Sequence, residues 1–371
     1  GQNTQGKATV TQSAYFDYLL ENILNYSTEF GKGHKFDATL MQSMNYITWK
    51  STSFSGTGFS NDDLSYNAIA SAVEHGVPSY ELSERKMLSY LARARYNYKD
   101  RYLFTAAVRV DGSSVFGAGN KYGVFPSASF AWRVDQENFM KNVEWVSNLK
   151  FRASFGQVGN QGISPYTTLG LADKYMYEFG TYPMVGYLPD STMPNPDLKW
   201  ETSTSANVGL DFGFLNNRIT GTLEYYDKRT KDLLNNVSAP SGTNFSNIIL
   251  ANVGAMKNQG IEFNVNAVAI QTPDFSWELG YNFTWNSSRI TKLTAVYNPD
   301  YPGISAGNAP FATGTTIQYH QVGHAPGTFY LYEQVYDDKG HPIQNEVVDR
   351  NKDGEITQAD QFFTGKSPMP K

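Results

Sequence analysis

Between Phe275 and Trp285 the chain reads FSWELGYNFTW, and its side chains alternate without a break. Phe275, Trp277, Leu279, Tyr281, Phe283 and Trp285 fall on one side, and Ser276, Glu278, Gly280, Asn282 and Thr284 on the other. Successive side chains of a β-strand point to opposite faces, so this segment makes a ribbon with one apolar, largely aromatic face and one polar face. The same period of two recurs along most of the chain. Leu88, Tyr90, Ala92, Ala94, Tyr96 and Tyr98 oppose Ser89, Arg93, Arg95 and Asn97, and Ile219, Gly221, Leu223 and Tyr225 oppose Thr220, Thr222, Glu224 and Tyr226. Helical spacing is rare, so the predicted fold is all-β and antiparallel.

The connections between these ribbons carry the next constraint. Short turns (GKGH, YKDR, LNNR, QTPD) take turns with loops of a dozen to forty-odd residues, of which the longest runs as an irregular segment from about Gly156 to Pro196. Short turns at one end and long loops at the other are the habit of outer-membrane barrels, whose strands of about 9 to 11 residues present an apolar face to lipid and a polar face to the interior. A large soluble β-protein that packs the same aromatics inside is the alternative. Pro126, within the run from Tyr122 to Val134, counts mildly against a strand there, because it lacks a ladder donor.

Composition excludes several classes. A net charge of −5 offers no basic field for a polyanion, so nucleic acid is not an expected partner. With no cysteine there are no disulfides, thiolate metal sites or cysteine nucleophiles. No run of about 18 apolar residues is present, which excludes spanning helices and leaves spanning strands open. No signal peptide is evident, and both ends look cut.

One local constellation stands out. In DRNKDGEITQAD, within a loop spanning 337–365, Asp349, Asn351 and Asp353 occupy alternate positions before Gly354, Glu355 can offer its carbonyl, and Asp360 stands where an EF-hand loop has its last ligand. This spacing predicts a structural Ca2+ site, with the shorter Asp360 in place of glutamate. The alternative is a solvated acidic turn held by Asx hydrogen bonds. The five histidines form no ligand motif beyond the loose pair His320 and His324, and the strand carboxylates Glu224, Asp227, Glu262 and Glu278, which could pair as a glycosidase acid and nucleophile, are what a polar lumen produces without catalysis. No enzyme is expected.

Several blocks resemble the C-terminal barrel half of SusC/RagA-type TonB-dependent outer-membrane transporters: YLARARYNYKDRYLFTAAVRVDGSSVFGAGNKYGVFPSASFAWRVDQENFM, LKFRASFGQVGNQGI, NPDLKWETSTSANVGLDFGFLNNRITGTLEYYDKRTKDLL, NVGAMKNQGIEF, DRNKDGEITQADQ and GKSPMPK. They fall in the family's order and cover nearly the whole chain. The resemblance implies a 22-stranded barrel. It also implies an N-terminal plug, a SusD-like surface lipoprotein as lid, a TonB complex that drives import of glycans or peptides, and a Bacteroidetes-type cell outer membrane whose lipid surrounds the barrel. Residues 1–371 would form a partial, open barrel domain of about 10 to 11 strands with long extracellular loops, the plug and the final strands lying outside it. The polar-face residues Lys150, Arg152, Glu224, Glu262, Glu278 and Asn282 would line the solute path or meet the plug, and the loop tyrosines Tyr166, Tyr175, Tyr177, Tyr182 and Tyr187 would contact the ligand or the lid. The rival from another class is a secreted all-β carbohydrate-binding or glycan-degrading protein.

Overall fold

The computed structural model describes residues 6–59, 65–179, 182–189, 193–238, 242, 247–295, 301, 303–309 and 316–368. Ten long strands follow one another as an antiparallel meander: β1 (Lys7–Phe30), β2 (His34–Thr57), β3 (Ser79–Tyr98), β4 (Tyr102–Ser113), β5 (Tyr122–Arg133), β6 (Val146–Asn160), β7 (Glu201–Phe214), β8 (Ile219–Ser238), β9 (Ile248–Gln271) and β10 (Ser276–Lys292). Each pairs with its neighbours in the chain, and a two-residue strand, Glu74–His75, adds to β2. Among the described residues the sheet does not close, and β1 and β10 are its edges.

The short turns form as their residues require. Lys99 and Asp100 both take φ of +54°, and the Asn97 side-chain oxygen accepts from the Asp100 N–H at 2.9 Å, which closes the β3–β4 hairpin. At the β9–β10 turn the Thr272 N–H donates to the Phe275 carbonyl at 2.8 Å. The strands are longer than the apolar pattern suggests, because they continue with polar residues past any bilayer. In β1 and β2 these extensions are zipped by hydroxyl pairs, Thr11 with Ser53 at 3.0 Å and Ser13 with Ser51 at 3.2 Å. Pro126 is tolerated because the β5–β6 ladder ends at Ser127 opposite Gly156, so its missing donor faces no ladder on that side.

Register makes the two faces continuous across the sheet. One row runs Phe36, Tyr96, Phe104, Phe130, Ala153, Val208, Tyr225, Ile261, Trp285 across nine strands. The row one residue over runs Asp37, Arg95, Thr105, Ser129, Ser154, Asn207, Tyr226, Gly260, Asn286. The apolar row begins two residues from the short turn in β2 and ends nine residues from it in β10. Eight steps of about 4.8 Å at a strand tilt of about 40° climb about 25 Å, the height of a barrel's apolar band. The row therefore crosses from one membrane interface to the other.

Aromatic rings gather at the short-turn end. His34 stacks on Phe30 at 5.3 Å and meets Tyr98 at 4.6 Å, Phe104 meets Phe130 at 4.9 Å, and Phe214 meets Trp145 and Phe212 at 5.3 Å each. Such a belt marks the level where lipid gives way to water. Trp277 is 49% exposed and Phe283 46%, so neither is sealed beneath a second layer of protein, and the soluble-core alternative fails at the residues that define it.

The buried core is small and lies at the long-loop end. Val115, Phe116, Phe125, Ile163, Leu198 and Trp200 pack together, joined by Met87, Leu234 and Leu250. The expected irregular segment from Gly156 to Pro196 is more ordered than its composition suggests. β6 continues to Asn160, and a hairpin of Ala172–Phe179 with Tyr182–Pro189 rises from it. Burial of Ile163, Leu198 and Trp200 against β5 supplies the apolar area that orders it.

Candidate functional site

The polar face carries the charges. Lys150 and Arg152 on β6 stand against Asp211 on β7, with Lys150 Nζ at 3.4 Å and the Arg152 Nε and Nη2 at 2.9 Å from carboxylate oxygens. Arg152 also reaches Glu224 on β8, one strand further, at 3.2 Å. It can do so because its register neighbour on β7 is Gly209: a Cβ there would lie 3.0 Å from the Arg152 Nη2. The same device recurs two strands along. Tyr226 on β8 crosses Gly260 on β9 and donates its hydroxyl to Asn286 on β10.

Of the six residues expected on this wall, Lys150, Arg152 and Glu224 thus form one network, with Asp211 as the member sequence reading missed. Glu262 lies beside Glu224 by register and forms no ion pair among the described residues. Asn264 donates to Asn282 across β9 and β10. Glu278 stands apart near the short turn, beside Val268 where the β9 register shifts. All six share the polar face.

At the long-loop end, residues 114–121, 161–170 and 193–200 form a roof over the short strands β4 and β5. Trp200 donates its indole N–H to the Lys121 carbonyl at 3.0 Å, Thr168 is buried with its hydroxyl 3.4 Å from the Val115 carbonyl, and Ser114 pairs with Lys86 of β3. Gly123 and Gly159 both lie against the Phe125 ring, and a side chain at either would displace it. The expected contact tyrosines divide. Tyr166, with φ of +71°, accepts the Glu84 N–H at 3.1 Å and is tied into the roof. Tyr175, Tyr177 and Tyr187 stand exposed on the hairpin, Tyr187 at 71%. Tyr182 pairs with Phe179 through its backbone, and its side chain lies outside the described residues.

The EF-hand-like segment is organised by backbone amides. Asp349 accepts from Lys352 and Gly354 at 2.6 and 2.8 Å, Asn351 from Asp353 at 3.0 Å, and Asp353 from Glu355 at 2.9 Å. Asp360 is fully buried and accepts from Thr357 at 2.8 Å, Arg350 at 2.8 Å and Asn351 at 3.3 Å. The Thr357 N–H, then desolvation in the opposite sense, then the Asn351 and Arg350 N–H groups set its carboxyl below the usual range. Among the described residues no three His, Cys, Asp or Glu side chains gather as a metal-binding group. For Ca2+ the oxygens of Asp349, Asp353 and Asp360 would have to turn from these amides onto one point.

With this geometry in view, the family described as TonB dependent receptor-like, beta-barrel matches residues 1–359. The chain belongs to the TonB-dependent receptor β-barrel family. It is 43% identical over 286 residues to the TonB-dependent receptor SusC of Bacteroides thetaiotaomicron, a match covering 76% of this chain and 28% of that protein. It is 32% identical over 360 residues to the TonB-dependent receptor P26 of Formosa agariphila, covering 94% of this chain and 36% of that one. Among solved structures, the RagAB peptide transporter matches 97% of this chain and 39% of its own at a TM-score of 0.75 and 25% identity. The RagAB peptide importer in its open-open state matches at 0.76 and 26%, covering 98% of this chain and 39% of that one. The chain therefore spans about a third of the length of the receptors it matches. Members of this family are outer-membrane receptors and transporters, not enzymes, and the SusC/RagA resemblance read from the sequence agrees with these matches.

Proposed function

We propose that this chain is part of the wall of an outer-membrane, TonB-dependent importer of oligosaccharides. In this reading it works with a SusD-like surface lipoprotein as lid, and the TonB complex drives it through a portion of the protein outside this sequence. One observation carries the reading: a single continuous sheet keeps an exposed aromatic face on one side and a charged, hydrogen-bonded face on the other. A face of that first kind is stable against hydrocarbon, and a face of the second kind is stable against water.

In this reading the polar wall of Lys150, Arg152, Glu224, Glu262, Glu278 and Asn282 lines the solute path or meets a plug, and the exposed tyrosines of the 172–189 hairpin meet the lid or the arriving sugar. The wall binds reversibly and breaks no bonds. Peptide import is the second reading, favoured by the coverage of the RagAB match.

The test is growth of a strain deleted for the full-length gene on a panel of oligosaccharides and on peptides, each as sole carbon source. Loss on one saccharide class, restored by the gene but not by a copy lacking the TonB-contacting segment, is expected. Loss on peptides alone would replace the first reading with the second, and normal growth on every source would overturn both.

A further inference from the structure

Above the aromatic row that ends the apolar band on β8 to β10, the same face turns basic. Tyr225, Ile261 and Trp285 are register partners, and four residues further toward the long loops Arg229, Lys257 and Arg289 are register partners too. One row beyond, Lys231 and Lys292 flank Ala255. Five cations thus occupy two adjacent rows on three neighbouring strands. One carboxylate is set among them: Asp227, which holds Arg229 at 2.8 Å and Lys257 at 3.0 Å. Arg289 forms no ion pair among the described residues, and with His324, Lys366, Ser287 and Ser288 it borders a polar cavity of about 560 Å3. On β3 the corresponding residues beyond Leu88 are Lys86 and Glu84, which offset each other, so β3 does not share the basic excess of β8–β10.

The height of these rows decides their partner. Four residues span about 13 Å of strand, or about 10 Å of rise at the usual barrel tilt, which puts Arg289 and Lys257 just beyond the hydrocarbon edge marked by Trp285, and Arg229, about 6 Å lower on the climbing row, at that edge. That layer holds lipid headgroups, where cations are stabilised by phosphate and arginine binds it in a two-pronged fashion. Directly beneath lie Leu223, Phe263 and Phe283, an apolar surface on which the acyl chains of the same lipid would rest.

We propose that Arg229, Lys257 and Arg289, backed by Lys231 and Lys292, bind the phosphorylated headgroup of an outer-leaflet lipid on the outside of the barrel. The proposal rests on the membrane reading of this face. Asp227 orients two of the cations and tempers their charge, and Arg289 supplies the unpaired guanidinium.

The experiment uses the full-length protein in phosphatidylcholine nanodiscs doped with lipid A or with its dephosphorylated form, with bound lipid counted by native mass spectrometry. The wild type is expected to retain lipid A and to release the dephosphorylated form. The R229S/K257S/R289S variant should bind lipid A about 100-fold more weakly, at about fivefold for each cation removed. Heat-modifiable gel mobility confirms that the variant is folded, and the single R289S variant, with an expected loss of about fivefold, serves if the triple variant fails to fold. Equal retention of both lipids, or no loss in a folded variant, overturns the proposal while leaving the membrane reading standing. A wild type that does not insert into nanodiscs overturns both.

Discussion

Arg152 passes over Gly209 to meet Glu224 at 3.2 Å, so an ion pair joins two strands that are not neighbours in the sheet. A side chain at position 209 would close that passage. Gly209→Val in the full-length protein is expected to leave Glu224 beside Glu262 without its cation and to lower stability by about 1 kcal/mol, the partly exposed setting keeping the effect small. Thermal loss of heat-modifiable gel mobility measures this. Glu224→Gln in the Gly209→Val background should recover part of the loss, because it removes the repulsion between the two carboxylates.

The roof depends on a second close approach. Gly159 lies against the Phe125 ring, which packs on Trp200 at 5.6 Å. Gly159→Val should push Phe125 out of place and cost about 1 to 3 kcal/mol of local stability. Faster cleavage of the 161–200 segment by protease added to intact cells is the expected signature, with the strands below unaffected.

The exposed hairpin is expected to act through its surface. Tyr175, Tyr177 and Tyr187 are exposed, so replacing all three with serine should leave folding unchanged. If they meet a lid lipoprotein, co-purification of that partner should fall at least tenfold, the ordinary effect of losing aromatic anchors from an interface.

The loop 349–360 is expected to respond to acid more than to a chelator. Its carboxylates are already engaged by backbone N–H groups, and the carboxyl of Asp360 is lowered first by the Thr357 N–H. A lowered folded value means that the stabilisation is complete above the ordinary carboxylate range near pH 4 and is lost as pH falls through the folded value. Hydrogen exchange of residues 349–361 should be slow at neutral pH with or without a calcium chelator, and Asp360→Asn should speed it at neutral pH, the difference from the wild type disappearing as pH falls through the folded value. Faster exchange on chelation would instead support the calcium site expected from the DRNKDGEITQAD spacing.

Much of the fold was legible in the sequence because it rests on a period of two, which neither long loops nor exposure obscures. Trp277, Phe283 and their neighbours announce their face directly. Strand ends were less legible. Thr11, Ser13, Ser51 and Ser53 have no apolar alternation, and the backbone ladder with their cross-strand hydroxyl pairs keeps them in register. The site was legible as a face but not as a network. Asp211 joins Lys150 and Arg152 only when β6 and β7 are set side by side, a relationship that a single strand does not carry. The signal that was present is glycine: Gly209 and Gly260, each within a strand on the polar face, mark where Arg152 and Tyr226 cross to the strand beyond.

The central claim is that Leu279 and Phe283 face lipid while Glu278 and Asn282 face water. These 371 residues contain no cysteine, so with any cysteine elsewhere in the full-length protein replaced by serine, single cysteine replacements at 279 and 282 each carry one spin label in a bilayer. The label at 279 is expected to collide with oxygen, which concentrates in hydrocarbon, and the label at 282 with a water-soluble nickel chelate. A label at 279 shielded from both, or a reversal of the two patterns, would contradict it.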